Sequence, residues 1–218
     1  MICIKDLTFS YTGSPPYLLN KINLNVKRGT YLSIIGENGS AKTTLIKLIL
    51  GLLHPLKGEI RVSSKKIGYV PQFLETFNSE FPITVSELIK CHMKVLKLKD
   101  RTAMDRCLDL VGMIDFKNSL IGNLSGGQRQ KIFIARALVG NPELLIFDEP
   151  STGIDIPSQK GIYKIIRNLN RNSSITVLSV EHNLKAALEN STKICTINNG
   201  NVHLYDVDQY RKSIAFKN

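Results

Sequence analysis

The sequence predicts an α/β fold: an α/β core that carries an N-terminal antiparallel β layer and an inserted helical lobe. Three observations lead to this prediction. Residues 2–11 and 22–26 alternate apolar and polar side chains, as half-buried antiparallel strands do. Residues 31–35 form a short apolar strand that runs into a glycine-rich loop and then an apolar helix. Strand character at residues 144–147 and 175–179 is separated by a helical segment, which indicates a parallel crossover.

The N-terminal half supplies most of the predicted strands. In the first strand the apolar positions change parity at Lys5-Asp6, so we expect a bulge or break there. The helix after the glycine-rich loop, residues 43–53, is apolar on nearly every face and should be buried against a sheet. Two more short strands are predicted at residues 58–62 and 66–70.

From Pro71 onward the pattern becomes helical. Thr84 and Glu87 form a capping-box pattern that starts one helix, because each side chain can bond the other residue's backbone amide. Two further helices are predicted near residues 101–111 and 126–138.

The C-terminal part returns to the core. A helix at about residues 157–169 joins the two crossover strands, and residues 191–202 predict a closing hairpin around Asn199-Gly200. We therefore expect one domain over residues 1–218. Within it we expect a core at 1–72 and 140–218 and a helical lobe at 73–139.

Composition indicates a folded cytosolic protein. The chain has 218 residues, of which 43% are hydrophobic, enough to bury a substantial core. No apolar run reaches the roughly 18 residues that span a bilayer, and the N-terminus lacks a signal-peptide pattern. The four scattered cysteines could form disulfides, but free thiols in a reducing compartment are favoured.

The net charge of +11 raises nucleic acid, anionic lipid and nucleotide as partners. The densest basic segment, residues 90–101, lies on and just after a predicted helix, and a solvated helix face is the favoured interpretation. A nearby membrane surface is the alternative. No aromatic residues lie between these lysines, which argues against single-stranded nucleic acid.

Residues 36–44 form a phosphate-loop pattern between a strand and a helix. Such a loop needs inward-facing backbone N–H groups and a helix N-terminus aimed at the anion. Lys42 can neutralise the β and γ phosphates, and the Thr43 hydroxyl can bind Mg²⁺. The nucleotide-binding residues predicted in this loop are Gly36, Asn38, Gly39, Ser40, Ala41, Lys42, Thr43 and Thr44.

Ala41 stands where a glycine normally precedes the lysine of this motif. We expect an alanine to be tolerated there only if it has negative φ and its methyl points away from the phosphates. Because the rest of the pattern is intact, nucleotide binding should survive.

Asp148 and Glu149 follow an apolar strand at the edge where open α/β sheets bind ligands. Adjacent residues of an extended chain point in different directions, so the two carboxylates can do different jobs. We expect Asp148 to hold Mg²⁺. We expect Glu149 to act as general base on the attacking water, a contribution of about 10²–10⁴-fold. A plain acidic loop is the alternative, and the phosphate loop upstream disfavours it.

The stretch Ser125, Gly126, Gly127 and Gln128 opens the third predicted helix of the lobe. Its hydroxyl, glycine amides and helix N-terminus can form a second anion site. A simple helix cap is the alternative interpretation.

In this order, residues 36–44, 124–128 and 144–150 resemble the ATPase subunit of ATP-binding cassette (ABC) transporters, and the likeness spans nearly the whole chain. The resemblance implies ATP and Mg²⁺ as cofactors. It also implies a head-to-tail homodimer with ATP sandwiched between Lys42 of one copy and Ser125 of the other. The implied partners are a second ATPase subunit, a membrane-spanning permease and an extracytoplasmic substrate-binding protein, with no nucleic acid. The implied location is peripheral, on the cytoplasmic face of the cell membrane.

Four smaller sites follow from the same resemblance. Tyr11 would stack on adenine, and Gln72 would sense Mg²⁺ and the attacking water. Asp155 would contact the facing subunit, and His182 would contact the γ-phosphate. The implied catalytic residues are Glu149, His182 and Gln72. The implied metal-binding residues are Thr43, Gln72 and Asp148.

Two neighbours of His182 differ from the family pattern. Glu181 and Asn183 stand where the family usually has Ser and Asp, and their roles stay open.

The resemblance also suggests the cargo and the docking segment. Residues 81–85 and 153–159 look like the zinc and manganese uptake branch, an analogy rather than a physical argument. The permease would dock on residues 73–91, which include three phenylalanines. The sequence names neither the permease nor the cargo, so an ABC ATPase for another substrate stays open.

Rival functions are disfavoured. A DNA-maintenance ABC ATPase would need a long coiled coil, and residues 44–123 show no sustained heptads. A translation-associated protein would need two cassettes, and a non-hydrolysing scaffold would not need Glu149. Cys91-His92 and the pair Cys195 and His203 lack ligand spacing for a metal cluster.

Overall fold

The computed structural model describes residues 1–72 and 82–215. In chain order, the strands and α-helices of this range are β1 (Ile2–Phe9), β2 (Leu19–Val26), β3 (Tyr31–Ile35), α1 (Lys42–Ile49), β4 (Lys57–Val62), β5 (Ile67–Val70), α2 (Val85–Val95), α3 (Ala103–Leu110), α4 (Gly126–Leu138), β6 (Leu144–Asp148), α5 (Ile156–Ser173), β7 (Thr176–Val180), α6 (Leu184–Asn190), β8 (Lys193–Asn198), β9 (Asn201–Asp206) and α7 (Val207–Ala215).

The N-terminal layer is a three-stranded antiparallel sheet in the order β2-β1-β4. Its apolar side chains face one core, since Ile2, Ile4 and Leu7 of β1 are fully buried or nearly so. The pairing of β1 with β2 shifts register between Ile4 and Leu7, and Asp6 has φ 48°. The break predicted from the parity change at Lys5-Asp6 is confirmed.

The central sheet has six strands in the order β5-β6-β7-β3-β8-β9. Its first five strands are parallel, and β9 pairs antiparallel with β8. The crossover from β6 through α5 to β7 is confirmed, as is the closing hairpin, where Asn199 and Gly200 both have positive φ. Because β3, β6 and β7 are adjacent, their carboxyl ends bring three loops together at one edge.

Helix α1 lies buried between the two sheets, as its all-round apolar pattern predicts. Leu45 and Ile46 are fully buried in the same cluster as β1 and β3. The helix ends at Ile49, earlier than the predicted residue 53, because Gly51 adopts φ 72° and breaks the helical geometry.

The helical lobe packs through a second core formed by α2, α3 and α4 and by one face of the central sheet. The capping box at the start of α2 is confirmed: Thr84 accepts from the Glu87 amide, and the Glu87 carboxylate accepts from the Thr84 amide. The five basic residues of the 90–101 segment are exposed, as expected for a solvated helix face.

Two helices were not predicted, α6 and α7. Both are short, with seven and nine residues, so each offers too few apolar positions to tell a helical period from chance. Over residues 1–72 and 82–215, no helix combines the length and hydropathy that crossing a membrane requires. The four cysteines are free thiols.

Candidate nucleotide-binding and catalytic site

The phosphate-loop residues run from the end of β3 into the first turn of α1, at the carboxyl edge of the central sheet. Gly39 has φ 80°, a backbone conformation that favours glycine. The Lys42 ammonium donates to the carbonyls of Gly36 and Glu37 at 2.9 and 2.8 Å, so it closes the loop on itself. Burial lowers the pKa of Lys42, while the nearby carboxylates of Glu149 and Asp148 act in the opposite direction.

Ala41 corrects one expectation from the sequence. The residue has φ 78° and ψ 18°, so the expected negative φ is wrong. Its side chain is 7% exposed and belongs to the cluster that also contains Leu45 and Ile46. An L-residue held in the left-handed region stores about 1–2 kcal/mol of strain, and packing of the Ala41 methyl partly offsets it.

We expect Ala41→Gly to change the free energy of unfolding by less than about 1 kcal/mol, because relief of the left-handed strain opposes the lost methyl burial and the greater freedom of glycine in the unfolded chain. ATP affinity should change only modestly. Thermal unfolding with and without ATP measures the change in stability and the change in ATP affinity.

The matched control is Ala135→Gly inside α4, where the fully buried alanine has helical neighbours and no strain to relieve. It should destabilise by about 1–2 kcal/mol. A large gain in ATP affinity for Ala41→Gly would show that the native loop is compromised.

Asp148 ends β6 and faces the start of α1. Its carboxylate is 3% exposed, and Oδ1 accepts a hydrogen bond from the Thr43 hydroxyl at 3.3 Å. Burial raises the pKa of Asp148, and the Thr43 hydrogen bond and the Lys47 and Lys42 charges counteract it. The structure thus places two of the predicted metal-binding residues, Thr43 and Asp148, in contact.

Glu149 lies where three segments meet. Its Oε2 accepts from Gln72 Nε2 at 2.9 Å and from the Thr152 hydroxyl at 3.0 Å, and its Oε1 pairs with His182 Nε2. Glu149 itself has φ 55°. Gln72, Glu149 and His182, which are far apart in sequence, are therefore in direct contact. Their catalytic roles remain a prediction.

A cavity of 470 Å³ opens above the phosphate loop. The Tyr11 ring at its edge packs edge-on against Phe9 at 5.1 Å between centroids, and its hydroxyl lies 3.1 Å from the Thr44 hydroxyl. Tyr11 is 65% exposed, so one ring face is free to receive an aromatic base. The lining residues are Tyr11, Leu18, Asn38, Gly39, Ala41, Lys42, Thr43, Thr44, Glu149 and His182.

Ser125 and Asp155 form a separate group. Ser125 caps α4 in a capping box with Gln128, at 3.3 and 2.9 Å. The Asp155 carboxylate caps α5 by accepting from the Ser158 amide at 3.0 Å. Gly127 lets the two helix starts approach, since a Cβ there would lie 2.5 Å from Ser158 Cβ. None of these residues lines the cavity above the phosphate loop. Within one chain, Ser125 caps α4. A helix cap was the alternative to an anion site that the sequence allowed for this residue.

A model of the ABC transporter family matches residues 19–152, which include the phosphate loop, Ser125 and Glu149. The chain belongs to the ABC transporter family. It is accordingly an ATP-binding, ATP-hydrolysing subunit of a transport system, with the α/β fold of that family's ATPase domains.

Similar proteins span the whole domain. A Treponema pallidum (strain Nichols) protein named "Probable metal transport system ATP-binding protein" is 42% identical over 96% of this chain and 87% of its own length. The high-affinity zinc uptake system ATP-binding protein ZnuC of Bacillus subtilis (strain 168) is 37% identical over 92% of each chain. A solved dimeric, post-hydrolysis state of the ATP-binding cassette MJ0796, bound to ADP and Pi, superposes with a TM-score of 0.78. That match has 27% identity and covers 95% of this chain and 99% of the other.

Sequence reasoning missed Thr152 as a partner of Glu149 and left Glu181 without a role. A threonine three residues after an acid gives no distinctive signal. Glu181 did give one, because it departs from the usual family residue next to His182. Among the described residues there is no cluster of three or more His, Cys, Asp or Glu suited to a metal ion.

Glu181 should make stability depend on pH. Burial, reinforced by the Glu149 charge, raises its pKa to about 7 from the ordinary 4.5. The groups around it are Tyr31, Tyr163 and Glu149. Because the folded state holds this proton more tightly, the stabilisation is present below pH 4.5 and is lost as pH rises through about 7. Between these pH values the free energy of unfolding should fall by up to about 3 kcal/mol because of Glu181, and Glu181→Gln should remove that fall. Urea unfolding of both proteins across this range measures it, and parallel curves would contradict it.

Proposed function

We propose that this chain is the ATPase subunit of an ABC importer for a divalent metal ion such as zinc or manganese. The observation that carries the proposal is the pairing of an assembled nucleotide site with relatives named for metal and zinc transport. Segments 81–85 and 153–159, which look like the zinc and manganese branch, add to it.

The nucleotide would lie in the cavity above the phosphate loop. Its triphosphate would meet the loop amides and the N-terminus of α1, which favour anions. The Lys42 ammonium, now bonded to Gly36 and Glu37, would turn to the β and γ phosphates. The exposed face of Tyr11 would take the adenine by stacking.

The donors at the start of α1 suit Mg²⁺, which prefers oxygen ligands. Thr43 and Asp148 already present two oxygens to one another, and Gln72 would add its amide oxygen. A bound Mg²⁺ neutralises charge that develops on the phosphate oxygens.

Glu149 would accept a proton from the attacking water. Its carboxylate lines the cavity beside Lys42 and Thr43, and three neighbours fix its orientation. His182 lines the same cavity and would contact the γ-phosphate while remaining beside Glu149. The residues of one chain would thus bind and orient ATP and hold the base.

The facing subunit would complete the site. Ser125 and Asp155 lie outside the cavity of their own chain, and the start of α4 offers amides and a helix N-terminus to an anion. A head-to-tail homodimer would bring this group over the nucleotide held by Lys42 of the partner subunit. The dimeric structure of the cassette MJ0796 supports a dimer.

The remaining partners are a permease and an extracytoplasmic substrate-binding protein, with the chain bound peripherally at the cytoplasmic face of the membrane. The permease would dock on residues 73–91. Residues 73–81 of that segment, with its three phenylalanines, lie outside the described residues. The described part includes most of α2, whose Glu87, Lys90 and Cys91 are exposed.

A DNA-maintenance role has no support in the described lobe. Its helices α2 and α3 have 11 and eight residues, too short for the coiled coil that such a protein needs.

Reconstitution tests the proposed cargo. The membrane protein that co-purifies with this chain would be placed in proteoliposomes with it, and uptake of radioactive zinc or manganese would be measured with and without ATP. We expect metal to accumulate only with ATP and only with intact Glu149. A complex that hydrolyses ATP but moves neither metal would overturn the metal cargo while leaving the ATPase activity established.

A further inference from the structure

Glu181 is a buried carboxylate that the proposed chemistry does not use. It follows β7, immediately before His182, and is 2% exposed. Its Oε1 accepts from the Ser179 hydroxyl at 2.5 Å, and its Oε2 accepts from the Tyr163 hydroxyl at 2.6 Å. Its amide donates to the Ile34 carbonyl at 2.9 Å, just ahead of the phosphate loop. Burial of a carboxylate is costly unless hydrogen bonds satisfy it, and here they do.

Tyr163 extends this contact to the loop that follows Glu149. Its hydroxyl lies 2.9 Å from the Ser151 hydroxyl, which is also buried. Because the Tyr163 proton points to Glu181, Ser151 is the donor to Tyr163. Helix α5 therefore connects the end of β7 to the loop after β6 through buried hydroxyl groups.

These contacts form a closed ring around the proposed base. From Glu149 the backbone leads to Ser151, whose side chain bonds Tyr163, which bonds Glu181. The backbone leads on to His182, which returns to the Glu149 carboxylate. Glu149 has φ 55°, and strained backbone of this kind persists only where its surroundings fix it. The ring supplies such a constraint on both sides of Glu149.

We propose that Ser151, Tyr163 and Glu181 are positioning residues for ATP hydrolysis: their hydrogen bonds hold Glu149 and His182 in the one arrangement that aims the base at the attacking water. The inference rests on the proposed role of Glu149. It gives Glu181, which stands where the family usually has Ser, a role in the proposed hydrolysis site.

Steady-state ATPase kinetics of the full chain with Mg²⁺ and ATP test the proposal. Tyr163→Phe opens the ring by removing one oxygen and keeps the ring packing. We expect kcat to fall by about tenfold or more, because small displacements of a catalytic group are costly. The KM for ATP should stay within about twofold, since the phosphate loop is untouched. Ser151→Ala opens the ring from its other side and should act alike.

Ser179→Ala is the matched control. It removes a hydrogen bond of similar length to the same carboxylate, but Ser179 lies outside the ring. A merely structural role for Glu181 predicts equal effects of Ser179→Ala and Tyr163→Phe. Of these two variants, the positioning role predicts that only Tyr163→Phe lowers kcat. Glu181→Gln, whose amide oxygen can still accept from Tyr163, should keep most of kcat, whereas Glu181→Leu should lose as much as Tyr163→Phe.

Two results would overturn the proposal. In one, Tyr163→Phe and Ser179→Ala both keep the kcat of the wild type, and in the other, both variants lose kcat to the same extent. Thermal unfolding shows whether Tyr163→Phe folds. If it does not, the kcat of Ser151→Ala is compared with that of Ser179→Ala instead. Glu149→Gln is assayed in parallel. Normal turnover in that variant would locate the failure in the base itself, whereas an inactive Glu149→Gln with unaffected ring variants would locate it in the positioning role.

Discussion

Glu149→Gln should abolish most ATP hydrolysis while leaving ATP binding intact. The substitution keeps the size of the side chain and an amide that can still bond Gln72 or His182, but it removes the group that accepts the proton. General-base catalysis contributes about 10²–10⁴-fold, and kcat should fall by that factor. Because ATP is bound but not consumed, the variant should accumulate as an ATP-bound dimer. Phosphate release and size-exclusion chromatography in ATP measure the two effects.

Glu143→Gln is the control for this experiment. Glu143 lies just before β6, the strand that Glu149 follows, and forms an exposed ion pair with Arg28. Exposed ion pairs contribute about 0–1 kcal/mol, so the variant should hydrolyse ATP normally. Unchanged turnover in Glu149→Gln would remove Glu149 from the role of base and would leave His182 as the next candidate.

The sequence predicts the core well where one physical signal dominates. The parity change at Lys5-Asp6 can only be accommodated by a break in the strand, and the register shift lies there. The all-round apolar helix after the phosphate loop had to be buried, and α1 is. The capping box at Thr84 is a local pattern of four residues, so it needs no tertiary information.

Other features depend on tertiary contacts that the sequence does not display. Ala41 adopts positive φ because the loop between β3 and α1 requires it there, against the residue's own preference. The contact of Tyr163 with Glu181 joins side chains that lie 18 residues apart, and no short sequence pattern encodes that separation. Thr152 lies only three residues after Glu149, but no distinctive pattern marks their contact. The helices α6 and α7 are short, and their apolar positions are too few to separate a helical period from chance.

Ser125→Arg should yield a chain that binds ATP as a monomer yet neither dimerises nor hydrolyses it. The arginine would stand at the start of α4, where the proposed dimer places the nucleotide of the partner subunit, while the phosphate loop of its own chain stays intact. Loss of the helix cap would cost only about 1 kcal/mol, too little to unfold the protein. Thr102→Arg puts the same side chain at the exposed start of α3 in the same lobe and should behave as wild type.

Mixing two inactive chains gives the sharper result. A Lys42→Ala chain keeps Ser125, and a Ser125→Arg chain keeps Lys42, so a mixed dimer contains one nucleotide site with both halves intact. If Ser125 acts across the dimer, part of the wild-type activity should return on mixing, whereas neither chain alone hydrolyses ATP. A mixture as inactive as its parts leaves two explanations: strict coupling of the two sites, or action of Ser125 within its own chain. Crosslinking of Ser125→Cys to an ATP analogue held by a partner chain separates them, because only a residue at the dimer face can reach that nucleotide.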